Sequence, residues 1–113
     1  MRELIKNISN KIENYPPNQI EFTQYCFGRM KERNIKKNIV ITTLFSKNNL
    51  YYVEEQLKQH QGEIEKRYKL IFKISSKYSL ILIIAFYPKV LKVVNVIKTS
   101  KGTEKKWRKT ILK

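Results

Sequence analysis

Residues 68–99 read YKLIFKISSKYSLILIIAFYPKVLKVVNVIKT, and the period of this stretch decides the fold. Tyr68, Leu70, Phe72 and Ile74 alternate with Lys69, Ile71 and Lys73, the two-residue repeat of a strand with one buried face. Ser75-Ser76-Lys77 makes a turn. The following SLILIIAFY is apolar on both faces, which predicts a central strand. Pro88-Lys89 turns the chain again. VLKVVNVIKT then alternates, with Lys92, Val94, Val96 and Lys98 on one side and Leu91, Val93, Asn95 and Ile97 on the other. Two turns this short imply an antiparallel meander.

Upstream of the meander the period is helical. Leu4, Ile5, Ile8, Ile12 and Tyr15 predict a helix over 2–15, ended by Pro16-Pro17. Ile20 to Phe22 is a short extended approach. Thr23 then fits an N-cap, with Phe22 and Phe27 at the spacing of a hydrophobic staple. The helix it opens, about 24–34, has Cys26, Phe27 and Met30 on an apolar side, while Tyr25, Arg29 and Arg33 form an adjacent stripe. Gly28 weakens such a helix by up to ~1 kcal/mol, which predicts a close approach at that point. Residues 37–46 fit a helix, although IVITT would also suit a strand. Residues 48–65 are ambiguous: LYYV could start a strand, whereas EEQLKQHQGEIEK favours a helix or a long polar excursion. Helices followed by an antiparallel sheet give an α+β layout, a single domain over 1–100 with a basic tail over 101–113.

The chain of 113 residues is long enough for one unstapled core. Its one cysteine, Cys26, allows no internal disulfide and points to a reducing compartment. The N-terminus lacks an apolar signal-peptide core, and LILIIAFY is too short to span a bilayer. A cytoplasmic protein with no membrane contact is expected. The formal net charge of +15 is uneven: residues 1–65 hold ten Lys/Arg against eight Glu, and residues 66–113 hold fourteen against Glu104 alone. Lysine bias alone would be spread evenly, so the asymmetry favours a polyanion partner, nucleic acid before a membrane surface.

Several chemistries lack their residues. There is no aspartate, and the glutamates lie mostly away from the basic half, against a two-metal nuclease. One histidine and one cysteine make no zinc site, and three glycines make no phosphate loop. Cys26 lies on the apolar helix side, as a structural thiol rather than a nucleophile paired with His60. No metal and no cofactor is expected. Metal-free RNA cleavage stays open, because RNA supplies its own 2′-hydroxyl nucleophile and lysine, arginine and tyrosine can position it and stabilise the charge that develops.

The segment FTQYCFGRMKERNI, residues 22–35, resembles the signature of a domain-of-unknown-function branch of the RelE/ParE-like toxin superfamily: aromatic-Thr, x-His-Ala-x-x-Arg-Met, then Glu-Arg-Gly-Ile. Phe22-Thr23, Arg29-Met30 and Glu32-Arg33-x-Ile35 match. Tyr25 replaces the histidine, Cys26 the alanine and Asn34 the glycine. YKLIF, LILIIAFY and VNVIKT resemble the closing strands, so the likeness spans about residues 20–100. It implies helices packed on a four-stranded antiparallel sheet of the RelE/barnase-like class. It also implies a metal-independent endoribonuclease of toxin type, acting on RNA at or near the ribosome and paired with an acidic antitoxin. The alternative on the same fold is a nucleic-acid-binding module that does not cut.

Tyr25, Arg29 and Arg33 are the candidate catalytic residues: Arg29 to clamp a phosphate, Tyr25 to exchange a proton or stack on a base. Lys69, Lys73, Lys92, Lys98, Lys101, Lys105, Lys106 and Arg108 are the candidates for holding the nucleic-acid backbone. The plainer alternatives are a solvated strand face for each lysine and ion pairs with Glu32 or Glu55 for the arginines. His60 reads as a surface residue, and Trp107 as a dock for the tail. The functional reading requires the sheet lysines and the arginine stripe to share one carboxylate-free surface.

Overall fold

The structure, a computed structural model, describes residues 1–100; the expectations for Lys101, Lys105, Lys106, Trp107 and Arg108 lie outside the described residues. Three helices, α1 (Arg2–Glu13), α2 (Gln24–Glu32) and α3 (Lys37–Leu44), accompany a sheet of five strands. These are β1 (Ile20–Phe22), β2 (Leu50–His60), β3 (Glu63–Lys73), β4 (Tyr78–Phe86) and β5 (Leu91–Ser100), in the spatial order β1-β5-β4-β3-β2. The architecture is α+β. The expected four-stranded antiparallel sheet is instead five-stranded and mixed, because Ile20–Phe22 pairs parallel to β5 with Ile20 opposite Leu91 and Phe22 opposite Val93.

Register places the core. Tyr68, Leu70 and Phe72 of β3 lie across from Ile84, Leu82 and Leu80 of β4, and all six belong to the cluster that the helices cover. Ile8 and Ile12 of α1, Cys26 and Met30 of α2, and Val40 and Leu44 of α3 close it from above. The central position of β4 is confirmed: Leu80, Ile81, Leu82, Ile84 and Ala85 are all buried, so both faces of the strand are covered.

One extra residue changes the pattern in β5. Ile83 pairs with Asn95 and Ile84 with Val93, which leaves Val94 as a bulge. The alternation expected across 91–98 therefore breaks. Leu91 and Val93 face the helices, and beyond the bulge so do Val96 and Lys98, opposite Leu82 and Leu80. Val96 is fully buried rather than sharing a solvated face with Lys92.

The ambiguous segment 48–65 is a long strand and a hairpin. β2 pairs with β3 from Leu50 to His60 around the turn Gln61-Gly62, whose φ values of 52° and 81° make it the two-residue type that suits strand twist. Because β4 pairs only with Tyr68–Lys73, residues 56–67 project past the sheet as a two-stranded arm. Its base is braced by Glu65, which accepts from Arg67 Nε at 2.6 Å and from the Tyr87 hydroxyl.

Candidate functional site

Helix α2 sets the site, and its first turn forms as the sequence predicts. The Thr23 hydroxyl accepts from the Cys26 N–H at 3.1 Å, and the Phe22 and Phe27 rings sit 5.6 Å apart as the staple. The helix ends in a left-handed residue, Asn34 at φ 55°, with Ile35 N–H bonded to the Met30 carbonyl at 2.9 Å and Asn34 N–H to that of Lys31 at 3.2 Å. This paired closure satisfies the last carbonyls and turns Ile35 back toward the core. The expected close approach at Gly28 does not occur: a methyl group there would meet nothing within 4 Å.

α2 lies along the outer edge of β5 where β1 stops. Thr23 N–H bonds the Val93 carbonyl at 3.2 Å and its hydroxyl donates to that of Val94 at 3.4 Å. Farther along, Arg33 Nη1 donates to the Val96 carbonyl, and Asn95 Oδ1 accepts from the Val96 N–H at 2.9 Å. Arg33 is thus anchored on backbone. Arg29 makes the ion pair with Glu32, at 3.2 Å, that is the plainer alternative to a phosphate clamp, and lies 5.9 Å from the Tyr25 ring centre, while its Nε is buried without a partner among the described residues. Tyr25 is 59% exposed.

The bulge brings Lys98 to this side. Lys98 Nζ lies 4.6 Å from the Tyr78 ring centre, and Arg33, Tyr78, Lys98, Thr99 and Ser100 line an open groove of about 540 Å³. Tyr25, Arg29 and Arg33 climb α2 over a rise of about 12 Å toward that groove. Arg33, Lys98 and Tyr78 thus meet at the groove, with Arg29 and Tyr25 farther back along α2; this strip is not free of carboxylates, because Glu32 is paired with Arg29.

The other lysines do not join it. Lys69 and Lys73 pair with Ile83 and Ser79, and Lys92 with Ala85, all on the sheet face away from the helices. That face is not free of carboxylates: Glu54 stands opposite Lys69, Glu21 opposite Lys92, and Glu65 beside Arg67. Burial pushes the Lys69 ammonium below its usual pKa, against the opposing pull of Glu54. Lys92 rests 4.9 Å from the Tyr87 ring centre. The expected convergence of all the sheet lysines with the arginine stripe is replaced by a smaller cluster in which Lys98 alone represents the lysines.

Cys26 is no nucleophile. Its side chain is fully buried against Met30, Sγ to Sδ 3.8 Å, and burial pushes the thiol up to about 11, with the Arg33 guanidinium pulling weakly the other way. Among the described residues no group of three or more His, Cys, Asp or Glu could hold a metal ion, and no helix is long and apolar enough to cross a membrane. Sequence reasoning missed Tyr78. The signal was available, since the turn at 75–77 makes Tyr78 the first residue of β4 on the same face as Leu80. Comparison with protein-family models, with curated proteins and with solved structures returns no match.

Proposed function

We propose that the protein binds single-stranded RNA along the β5 edge, through Tyr25, Arg29, Arg33, Lys98 and Tyr78. The observation that carries this reading is the open groove that Lys98, turned to this face by the Val94 bulge, lines together with Tyr78 and Arg33. Cations at that spacing suit successive phosphates, and exposed phenols beside them offer faces on which unpaired bases stack. A narrow strip of this kind fits one strand better than a duplex. The one-sided charge of residues 66–113 supplies the long-range attraction.

The motif likeness to RelE/ParE-type toxins supports a competing reading, cleavage by 2′-hydroxyl attack with Arg29 on the phosphate. Cleavage needs a proton acceptor in the strip. Tyr25 and Glu32 are the groups at hand, and Glu32 is engaged by Arg29. The geometry favours binding without cutting.

One experiment decides between them. A labelled single-stranded RNA is titrated with protein in chelator, with anisotropy reporting binding and a denaturing gel reporting strand integrity. Salt-sensitive binding of intact RNA, weakened in Arg29→Ala with Lys98→Ala, is the expected result. Fragments that vanish in Arg29→Ala or Tyr25→Phe would establish the ribonuclease instead. No salt-sensitive binding at all would overturn both.

A further inference from the structure

A strand at the rim of a sheet presents N–H and C=O groups to any strand that comes alongside. The two rims here are treated differently. Along β5, β1 covers Leu91–Val93, and Thr23, Arg33 and Asn95 take up groups of Val94 and Val96. The other rim is β2, eleven residues long, and among the described residues no hydrogen bond reaches the outer backbone groups of Glu55, Leu57 or Gln59.

The hairpin turn fixes which groups those are. A two-residue turn of the Gln61-Gly62 type is flanked by a hydrogen-bonded pair, here His60 and Glu63. Counting back in twos, Lys58, Gln56 and Glu54 bond to β3, while Gln59, Leu57, Glu55 and Val53 point their backbone groups outward.

We infer that two copies of the chain join β2 to β2 antiparallel, about a two-fold axis at Gln56, into one continuous sheet. The register follows from the charges. With the axis at Gln56, Glu55 and Leu57 exchange backbone bonds with Leu57 and Glu55 of the second copy. Glu54 and Lys58 then meet Lys58 and Glu54 at the sites where side chains come closest. An axis at Glu54, Glu55 or Lys58 would set like charges face to face, and an axis at Leu57 pairs no opposite charges. Lys58 makes no ion pair within the chain among the described residues, so it is available for this one.

The arm supplies an apolar match as well. Leu57 is 64% and Ile64 73% exposed, diagonal neighbours on one face of the hairpin. In the joined sheet the two copies of Leu57 become diagonal neighbours, so the stripe runs Ile64–Leu57–Leu57–Ile64 across the seam and covers apolar surface that the single chain leaves in water.

Sedimentation of nucleic-acid-free protein tests the join. Wild type is expected at twice 13.6 kDa, while Glu54→Lys and Lys58→Glu each sediment at 13.6 kDa. Mixing the two variants restores the doubled mass, because every seam position then faces its opposite charge. The amides of Glu55, Leu57 and Gln59 are expected to exchange slowly in wild type and quickly in Lys58→Glu, a readout that survives if Glu54→Lys, which sits beside Lys69, folds poorly. Wild type at 13.6 kDa at its highest attainable concentration would overturn the proposal, as would a doubled mass in Lys58→Glu alone or amides equally fast in both proteins.

Discussion

Lys98 and Lys73 allow a matched comparison, because they lie near the same end of the sheet on opposite faces. Lys98 pairs with Leu80 and Lys73 with Ser79, the adjacent residue of β4. Replacing either by glutamate changes the net charge equally, so any difference in binding reports position alone. A phosphate held at ~6 Å from an ammonium in water is worth ~0.7 kcal/mol, about half that at physiological salt, so reversing the sign at Lys98 costs ~0.7 kcal/mol, roughly a threefold loss of affinity. Lys73 stands two strands away, roughly 10 Å, on the far face; with side chains pointing apart the charge lies on the order of 16 Å from the strip, about two Debye lengths at physiological salt. Its reversal is then worth less than ~0.1 kcal/mol and changes affinity by under about 1.5-fold. Anisotropy of a short labelled RNA, measured over a series of salt concentrations, reads both quantities. The salt slope falls by about 0.7 for Lys98→Glu, one phosphate on a single strand, and stays unchanged for Lys73→Glu. Equal losses in the two variants would refute the strip, since binding would then follow total charge and not the groove.

Three further outcomes follow from α2. Gly28→Ala stabilises the fold by ~0.5–1 kcal/mol, a rise of a few degrees in Tm by calorimetry, because the added methyl meets open space and the helix loses a flexible residue. Asn34→Val costs ~1–2 kcal/mol in denaturant melts, because a β-branched residue resists the left-handed closure of the helix; Asn34→Gly leaves stability equal or higher. The Cys26 thiol, raised from 9.0 to about 11 by burial, keeps its proton in the folded protein where the unfolded chain releases it. The native state therefore binds the extra proton between those values, so stability is full below pH 9 and falls as pH climbs to about 11, checked by melts across that range. At pH 8 the thiol reacts with a disulfide reagent only at the rate of unfolding.

Legibility varied along the chain for identifiable reasons. Thr23, Phe22 and Phe27 announced α2 because capping is local chemistry, set by residues within one turn of each other. The alternation in β3 and the apolar run of β4 were readable because burial imposes a short period on them. β2 was hidden because Glu54, Glu55, Gln56, Leu57 and Lys58 are mostly helix formers, and pairing with β3 overrides that preference; Gly62 was the local sign of the turn. β1 is three residues long, too short for any period, and its pairing depends on a strand some seventy residues away. The bulge at Val94 left no mark, since Val93 and Val94 suit a strand in either phase, yet it decided where Lys98 points. Placing the site therefore turned on a feature of pairing that no single strand displays.

The parallel pairing of β1 with β5 also bears on the order in which the molecule can assemble during translation. The ribosome makes α1, β1 and α2 first, but β1 pairs only with residues 91–93, and Tyr15 donates its hydroxyl proton to the carbonyl of Tyr87. β1 therefore cannot complete its pairing until Leu91–Val93 have been made, whereas α1 also touches β2, which appears earlier. The hairpins of β2 to β5 can form from neighbours as they appear. Pairing β1 with β5 at the rim of the open sheet is then the late step, and a nascent chain stalled before Leu91 would leave β1 unpaired and α2 without its seat on β5.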